Sequence, residues 1–392
     1  IGLLAAGGVD LLLSPRVAEA PTPRSARWGA LLADPTATQE LAAAAQEALN
    51  SWRPQRWKLA TPLLGRGGGG VVFRSSDSDL GTVALKFAHS DEPRKLEREV
   101  RLMRRVAHPH VCDLREHHIS ADGKLFCMVL ELLDGGNLEQ AIKQAPDKRL
   151  REFEVVRMAF DVLAALSCVH GKNVIHRDIK PSNIMLAEVD GRQVYKIIDF
   201  SISAVEREAR ADVAKTLRTG TTSLGALAGT AHYMSPEQIQ EGCVVTPQTD
   251  LWSLGVVMFE CLSGVLPFAP AERDRFRICY AIVSGGEPPE LCELVEEVGA
   301  VSESMATVVR NALQKNLSQR YATATEMSAS LDDMLTTSGH ERFALFISYR
   351  VWCDKMFAEA LYRAASRCQL RPGREHRMKV YLDKVRIVDG QR

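Results

Sequence analysis

The run His176-Arg177-Asp178-Ile179-Lys180-Pro181-Ser182-Asn183 places a carboxylate, an ammonium group and an amide within eight residues. A second carboxylate, Asp199, follows the apolar run Tyr195-Lys196-Ile197-Ile198. Transfer of a phosphoryl group from a metal-bound nucleotide needs such a set. One carboxylate orients the attacking hydroxyl, a cation steadies the phosphoryl oxygens, and an amide with a second carboxylate holds Mg2+. Mg2+ is a hard cation that takes oxygen ligands, which both groups supply.

Several elements must position these groups. Phe153 to His170 reads as an amphipathic helix that delivers the chain into the loop. Upstream, Leu63-Leu64-Gly65-Arg66-Gly67-Gly68-Gly69-Gly70-Val71-Val72-Phe73 reads as a strand, a glycine turn and a second strand. Gly65, Gly67 and Gly70 fit G-x-G-x-x-G, where the missing side chains let backbone N–H groups approach phosphates. A dinucleotide-binding fold would need a helix directly after the glycines, whereas Val71-Val72-Phe73-Arg74 continues as a β-run. Val83-Ala84-Leu85-Lys86 is an apolar strand ending in lysine, and Leu96, Val100, Met103 and Val106 then fall at helical spacing. Leu125 to Leu133 is a further apolar strand, leading into Asp134-Gly135-Gly136-Asn137.

The eight-residue run resembles the catalytic loop of serine/threonine protein kinases, and the glycine run, the lysine strand and the helix precede it in that family's order. The resemblance covers residues 58–335. It implies an α+β, two-lobed protein-kinase fold with a small β-rich lobe and a large helical lobe. It implies Asp178 as the residue that orients the substrate hydroxyl and accepts its proton, with Lys180 two positions on. Asn183 and Asp199 would share Mg2+, and Lys86 would position the phosphates of ATP. Glu99, nine residues before His108-Pro109, would be the ion-pair partner of Lys86, with Glu97 the alternative. Leu130 would guard the back of the adenine pocket, and Glu131, Leu132 and Leu133 would offer it backbone hydrogen bonds. Val72, Ala84 and Met185 would sandwich the base, although simple core packing would use the same residues. Arg320 would pair with Glu237, and His108, His110, His117 and His118 would be structural. Protein substrates are implied as partners.

Departures from the pattern concern regulation. Asp199-Phe200-Ser201 stands where the family has Asp-Phe-Gly, so Ser201 restricts a backbone flip but leaves the metal-binding carboxylate in place. The loop after it carries Thr216, Thr219, Thr221, Thr222 and Ser223, and Arg177 is the expected receiver of a phosphate there.

After a linker at residues 336–340 the chain starts again. Phe343-Ala344-Leu345-Phe346-Ile347-Ser348-Tyr349-Arg350 reads as a strand, Met356 to Cys368 as a helix and Val380-Tyr381-Leu382-Asp383 as a second strand. This resembles the first third of a TIR domain, so residues 341–392 are expected to be a partial α/β TIR-like domain. TIR-domain partners or self-association would result. A competing function is a kinase-like scaffold with weak or no catalysis, whose output is TIR-mediated assembly or NAD cleavage.

Composition limits the alternatives. The 392 residues suggest two domains, or one large and one small. Balanced totals of 49 basic and 49 acidic residues argue against nucleic-acid binding through a basic surface. No apolar run approaches a membrane span. The nine scattered cysteines contain no Cys-x-x-Cys pair, which fits a reducing compartment and a cytoplasmic location. The chain opens on Ile1 and is read as a fragment. Residues 1–57 read as a flanking extension or linker of unknown role, with short helices at Ala26 to Ala33 and Glu40 to Leu49. Trp52 and Trp57 are expected to pack against the adjoining domain.

Overall fold

The structure, a computed structural model, describes residues 25–67, 70–89, 93–189, 192–199, 231–240, 242–268, 275–295 and 301–337. Ser201 with the threonine-rich loop, and residues 341–392, expected from the sequence to be TIR-like, lie outside these residues. The described residues form two units. One comprises residues up to 138 with 168–178 and 182–199, and the other comprises 139–167, 179–181 and 231–337. The first is β-rich and the second helical, as the resemblance implied.

The first unit opens with two helices, α1 (Ser25–Ala33) and α2 (Thr38–Trp52). Five strands come next: β1 (Trp57–Gly67), β2 (Gly70–Asp77), β3 (Gly81–His89), β4 (Leu114–Ile119) and β5 (Leu125–Glu131). Helix α3 (Pro93–Arg105) separates β3 from β4. The sheet order is β1-β2-β3-β5-β4, with every neighbouring pair antiparallel.

Successive side chains of a strand point to opposite faces. On β3 this puts Val83, Leu85 and Phe87 on one face and Ala84, Lys86 and Ala88 on the other, and all six are buried. On β5, Leu125, Cys127 and Val129 oppose Phe126, Met128 and Leu130, again all buried. A sheet apolar on both faces needs a cover on each.

Over the Val83 face the cover is α1 and α2. On α2 the buried residues Leu41, Ala44, Ala45, Ala48 and Leu49 recur at helical spacing, forming one apolar stripe. They join Trp28, Leu31, Val71, Phe73, Leu85 and Phe87 in a single cluster. Trp28 stacks on Phe87 at 5.3 Å, and Trp52 stacks on His118 at 5.6 Å. Each large side chain buried this way contributes roughly 1.5–3 kcal/mol. Trp52 and Trp57 thus pack on the adjoining domain as expected. Residues 25–57, read from the sequence as a flanking extension or linker, share the core of the small unit.

In the second unit the helix Gln248–Ser263 is buried on nearly every side. Such a helix is the centre of a core rather than its edge. Trp252 stacks on Phe268 at 5.3 Å, and the Arg320 guanidinium lies 4.9 Å over the Trp252 ring. Arg320 also pairs with Glu237 at 2.8 Å, as the resemblance implied. Among the described residues, no helix is long and apolar enough to cross a membrane.

Candidate active site

The face of the sheet opposite α1 and α2 assembles one side of the site. In the strand register Val72 lies opposite Lys86, Lys86 opposite Met128, and Ala84 opposite Leu130. Directly opposed residues share a face, so Val72, Ala84, Leu130 and Lys86 are neighbours on one surface. Gly65 lies opposite Val72 and joins them, and Gly67 lies opposite Gly70.

The two ends of the glycine run have different causes. Gly70 has φ +121°, and a Cβ there would lie 2.0 Å from the Phe87 carbonyl oxygen, so the fold itself demands glycine. A Cβ on Gly65 would meet nothing within 4 Å. Beside Gly65 the protein leaves open space.

The loop of residues 176–183 is held by His176, a buried residue. Its Nδ1 accepts from the Asp178 amide at 3.3 Å, which leaves Nε2 to donate to the Ile198 carbonyl at 3.0 Å. That pair ties the Asp178 segment to the residue just before Asp199. The hairpin β6 (Ile184–Val189) and β7 (Arg192–Ile197) supports the same join, with Ile184 opposite Ile197. The Ile198 amide adds a bond to the Asn183 carbonyl at 3.0 Å.

Within this frame the Asn183 side-chain amide donates to the Asp178 carboxylate at 2.8 Å and to its backbone carbonyl at 2.9 Å. The Lys86 ammonium pairs with the Asp199 carboxylate. Asp199 and Arg177 have φ +64° and +69°, a left-handed conformation that side chains other than glycine seldom adopt. Such outliers persist where the surroundings over-determine them, as at functional sites. Asp178, Asn183, Lys86 and Asp199 are therefore brought together in one unit. Glu99 lies on α3, its side chain outside the described residues. Lys180 is half-buried in the short segment 179–181 assigned to the second unit.

Beyond β5 the chain is fixed by a feature that sequence spacing did not suggest. The Glu131 carboxylate accepts from Lys196 at 2.7 and 2.8 Å and from the Asp113 amide at 2.8 Å. The Glu131 amide donates to the Asp113 carbonyl at 3.0 Å, which removes that donor from any contact with a base. Leu133 is half-buried two residues on, and Met185 is half-buried on β6, bridged to Asn137.

The donor set suits the group it would hold. With its nitrogen committed to Asp178, Asn183 has its amide oxygen to offer, and Asp199 offers a carboxylate. Both are hard oxygen donors of the kind Mg2+ takes. The sequence pattern of the protein kinase domain matches residues 60–331. The chain belongs to the protein kinase family.

Kinases of this family use ATP and Mg2+. The kinase is 32% identical over 277 residues to serine/threonine-protein kinase pkn3 of Myxococcus xanthus, covering 69% of this chain and 48% of that one. It is 29% identical over 284 residues to serine/threonine-protein kinase PknD of Mycobacterium tuberculosis, covering 70% and 39%. It is 32% identical over 237 residues to the bovine inhibitor of nuclear factor kappa-B kinase subunit beta, covering 56% and 30%. The matched stretch is less than half the length of each of these relatives.

Proposed function

We propose that this chain transfers the γ-phosphate of ATP to serine or threonine hydroxyls of protein substrates. The observation that carries the reading is the joint placement of Asp178, Asn183, Lys86 and Asp199, with open space beside Gly65. Asp178 orients the attacking hydroxyl and takes its proton, and the Asn183 amide fixes the carboxylate for that task. Lys86 releases Asp199 and turns to the nucleotide phosphates, while Lys180 steadies the transferred group. Glu99 steadies Lys86 from α3. Asn183 and Asp199 hold Mg2+, which when bound neutralises charge on the phosphate oxygens. Val72, Ala84 and Met185 sandwich the adenine, and the Glu131 carbonyl and backbone groups of Leu133 read its edge. Gly65, Gly67 and Gly70 let backbone amides approach the phosphates.

The test is phosphorylation of a generic protein substrate with Mg-ATP. Asp178→Asn should lower the rate by about 10²–10⁴-fold, the range for a lost general base, with nucleotide affinity retained. Equal rates for the wild type and Asp178→Asn would leave the scaffold reading, toward which Ser201 points.

For residues 341–392 the reading is the start of a TIR-like module, supported by the Phe343–Arg350 and Val380–Asp383 runs. A TIR-like sheet needs about five strands and this stretch supplies two, too few to bury a core. Limited proteolysis of the chain ending at Arg392 should cut at residues 336–340 and digest residues 341–392. A tail as resistant as the kinase domain, in a monomeric sample, would refute this reading.

A further inference from the structure

Arg66 stands between the first two glycines of the phosphate-binding run, yet it belongs to the other face of the sheet. Its register partner is Val71, which is buried beneath the helices. From there the guanidinium reaches the C-terminal end of α1. Its Nη2 donates to the carbonyls of Leu31 at 2.5 Å, Leu32 at 3.0 Å and Asp34 at 2.5 Å.

The last carbonyls of a helix have no partner within it, and they form the negative end of its dipole. The Arg66 cation satisfies them through one nitrogen, Nη2, and its charge complements the negative end of the dipole. The other end of β1 is fastened in the same way. On α2 the Gln46 side chain donates to the Trp57 carbonyl at 2.9 Å and accepts from the Leu59 amide at 3.2 Å. β1 is the edge strand that carries Gly65 and Gly67, and residues of the N-terminal helices grip it at both ends.

We propose that Arg66 is a positioning residue for nucleotide binding, coupling the docked N-terminal helices to the phosphate-facing side of β1. The proposal rests on the reading that Gly65 and Gly67 receive the nucleotide phosphates. Undocking α1 and removing the guanidinium are then two ways of losing one tether, so their effects on nucleotide affinity are not additive.

The experiment is a double-mutant cycle with Arg66→Ala and Trp28→Ala, reading KM for ATP, kcat and hydrogen exchange at residues 64–72 without nucleotide. Each single variant should raise KM by about five- to tenfold, the net worth of one ordinary hydrogen bond, with kcat within about twofold. The double variant should be no worse than the worse single one. Arg66→Lys should rescue in part, because one nitrogen makes all three bonds, and exchange at residues 64–67 should rise in every alanine variant. A purely structural role would lower the melting temperature without splitting KM from kcat. Unchanged exchange at residues 64–67 in folded Arg66→Ala, or additive effects on KM, overturns the proposal. If the wild type binds no Mg-ATP, the kinase reading fails, and the exchange data still decide whether the tether exists. If Trp28→Ala does not fold, Arg66→Ala and Arg66→Lys alone decide by the same two readouts.

Discussion

Replacing Arg320 by leucine should destabilise the helical unit more than most single changes at its surface. Its guanidinium donates to the Glu237 carboxylate at 2.8 and 3.3 Å, to the Gln248 carbonyl at 3.2 Å and, through Nε, to the Gln314 carbonyl at 2.8 Å. The Arg320 and Glu237 side chains are 0% and 6% exposed, so solvent cannot replace what is lost. Leucine leaves Glu237 ionised and buried, with Thr249 still donating to it at 2.8 Å. Breaking a buried pair from one side costs about 3–5 kcal/mol. At roughly 2–4 °C per kcal/mol for a domain of this size, the melting temperature should fall by about 6–20 °C.

Acid should mimic the mutation. Burial pushes the Glu237 carboxyl up, but the Arg320 hydrogen bonds and charge outweigh it and hold the carboxyl below its ordinary value. A depressed carboxyl contributes stability above its unfolded value, near pH 4.5, and loses it as pH falls through the folded value. Urea denaturation at pH 7 measures the cost, and the double change Arg320→Leu with Glu237→Leu measures the coupling. The double variant should be more stable than Arg320→Leu alone, because the stranded charge is gone. An Arg320→Leu cost below about 1 kcal/mol, within the range of an exposed pair, or strictly additive singles, would falsify the reasoning.

Gly65→Ala should leave the melting temperature within about 2 °C, since its Cβ meets open space, and should weaken Mg-ATP binding in a titration. Gly70→Ala should lower stability as well, because its Cβ would overlap the Phe87 carbonyl. Burial holds His108 and His117 down to about 4, with nearby charges adding to it, and burial also lowers His118. A histidine depressed in the fold stabilises fully above its unfolded value of about 6.5 and loses that stability as pH falls toward about 4. Unfolding free energy measured by urea should therefore decline from pH 7 to pH 5, and His117→Gln should flatten the decline. Lys196→Met should strand the Glu131 carboxylate and lower the melting temperature by several degrees, read by calorimetry.

The placement of the candidate site residues was legible because much of it is local in sequence. Asp178 and Asn183 lie five positions apart in one loop, and the lysine inside the apolar strand β3 has its place dictated by strand register. What stayed hidden depends on distant pairs. Glu131 and Lys196 are 65 positions apart with no spacing rule to connect them. Among the described residues Arg66 hydrogen-bonds to backbone carbonyls, which no side-chain pattern encodes. The part played by residues 25–57 did leave a trace. Val83 to Ala88 is apolar on both faces apart from Lys86, and a strand in an antiparallel sheet with one wet face would alternate. That run called for a second cover, and Trp28 with the alanine stripe of α2 supplies it.

The shared core also bears on where this domain can be cut. The family pattern starts at residue 60, 35 positions after the start of the first described helix. An excised domain beginning there would bare Val71, Phe73, Val83, Leu85 and Phe87 to water as one continuous patch, with β1 an uncovered edge beside it. Exposed apolar sheet of that kind recruits other chains. Anyone grafting this lobe onto another kinase, or trimming it for expression, has to carry residues 25–57 along.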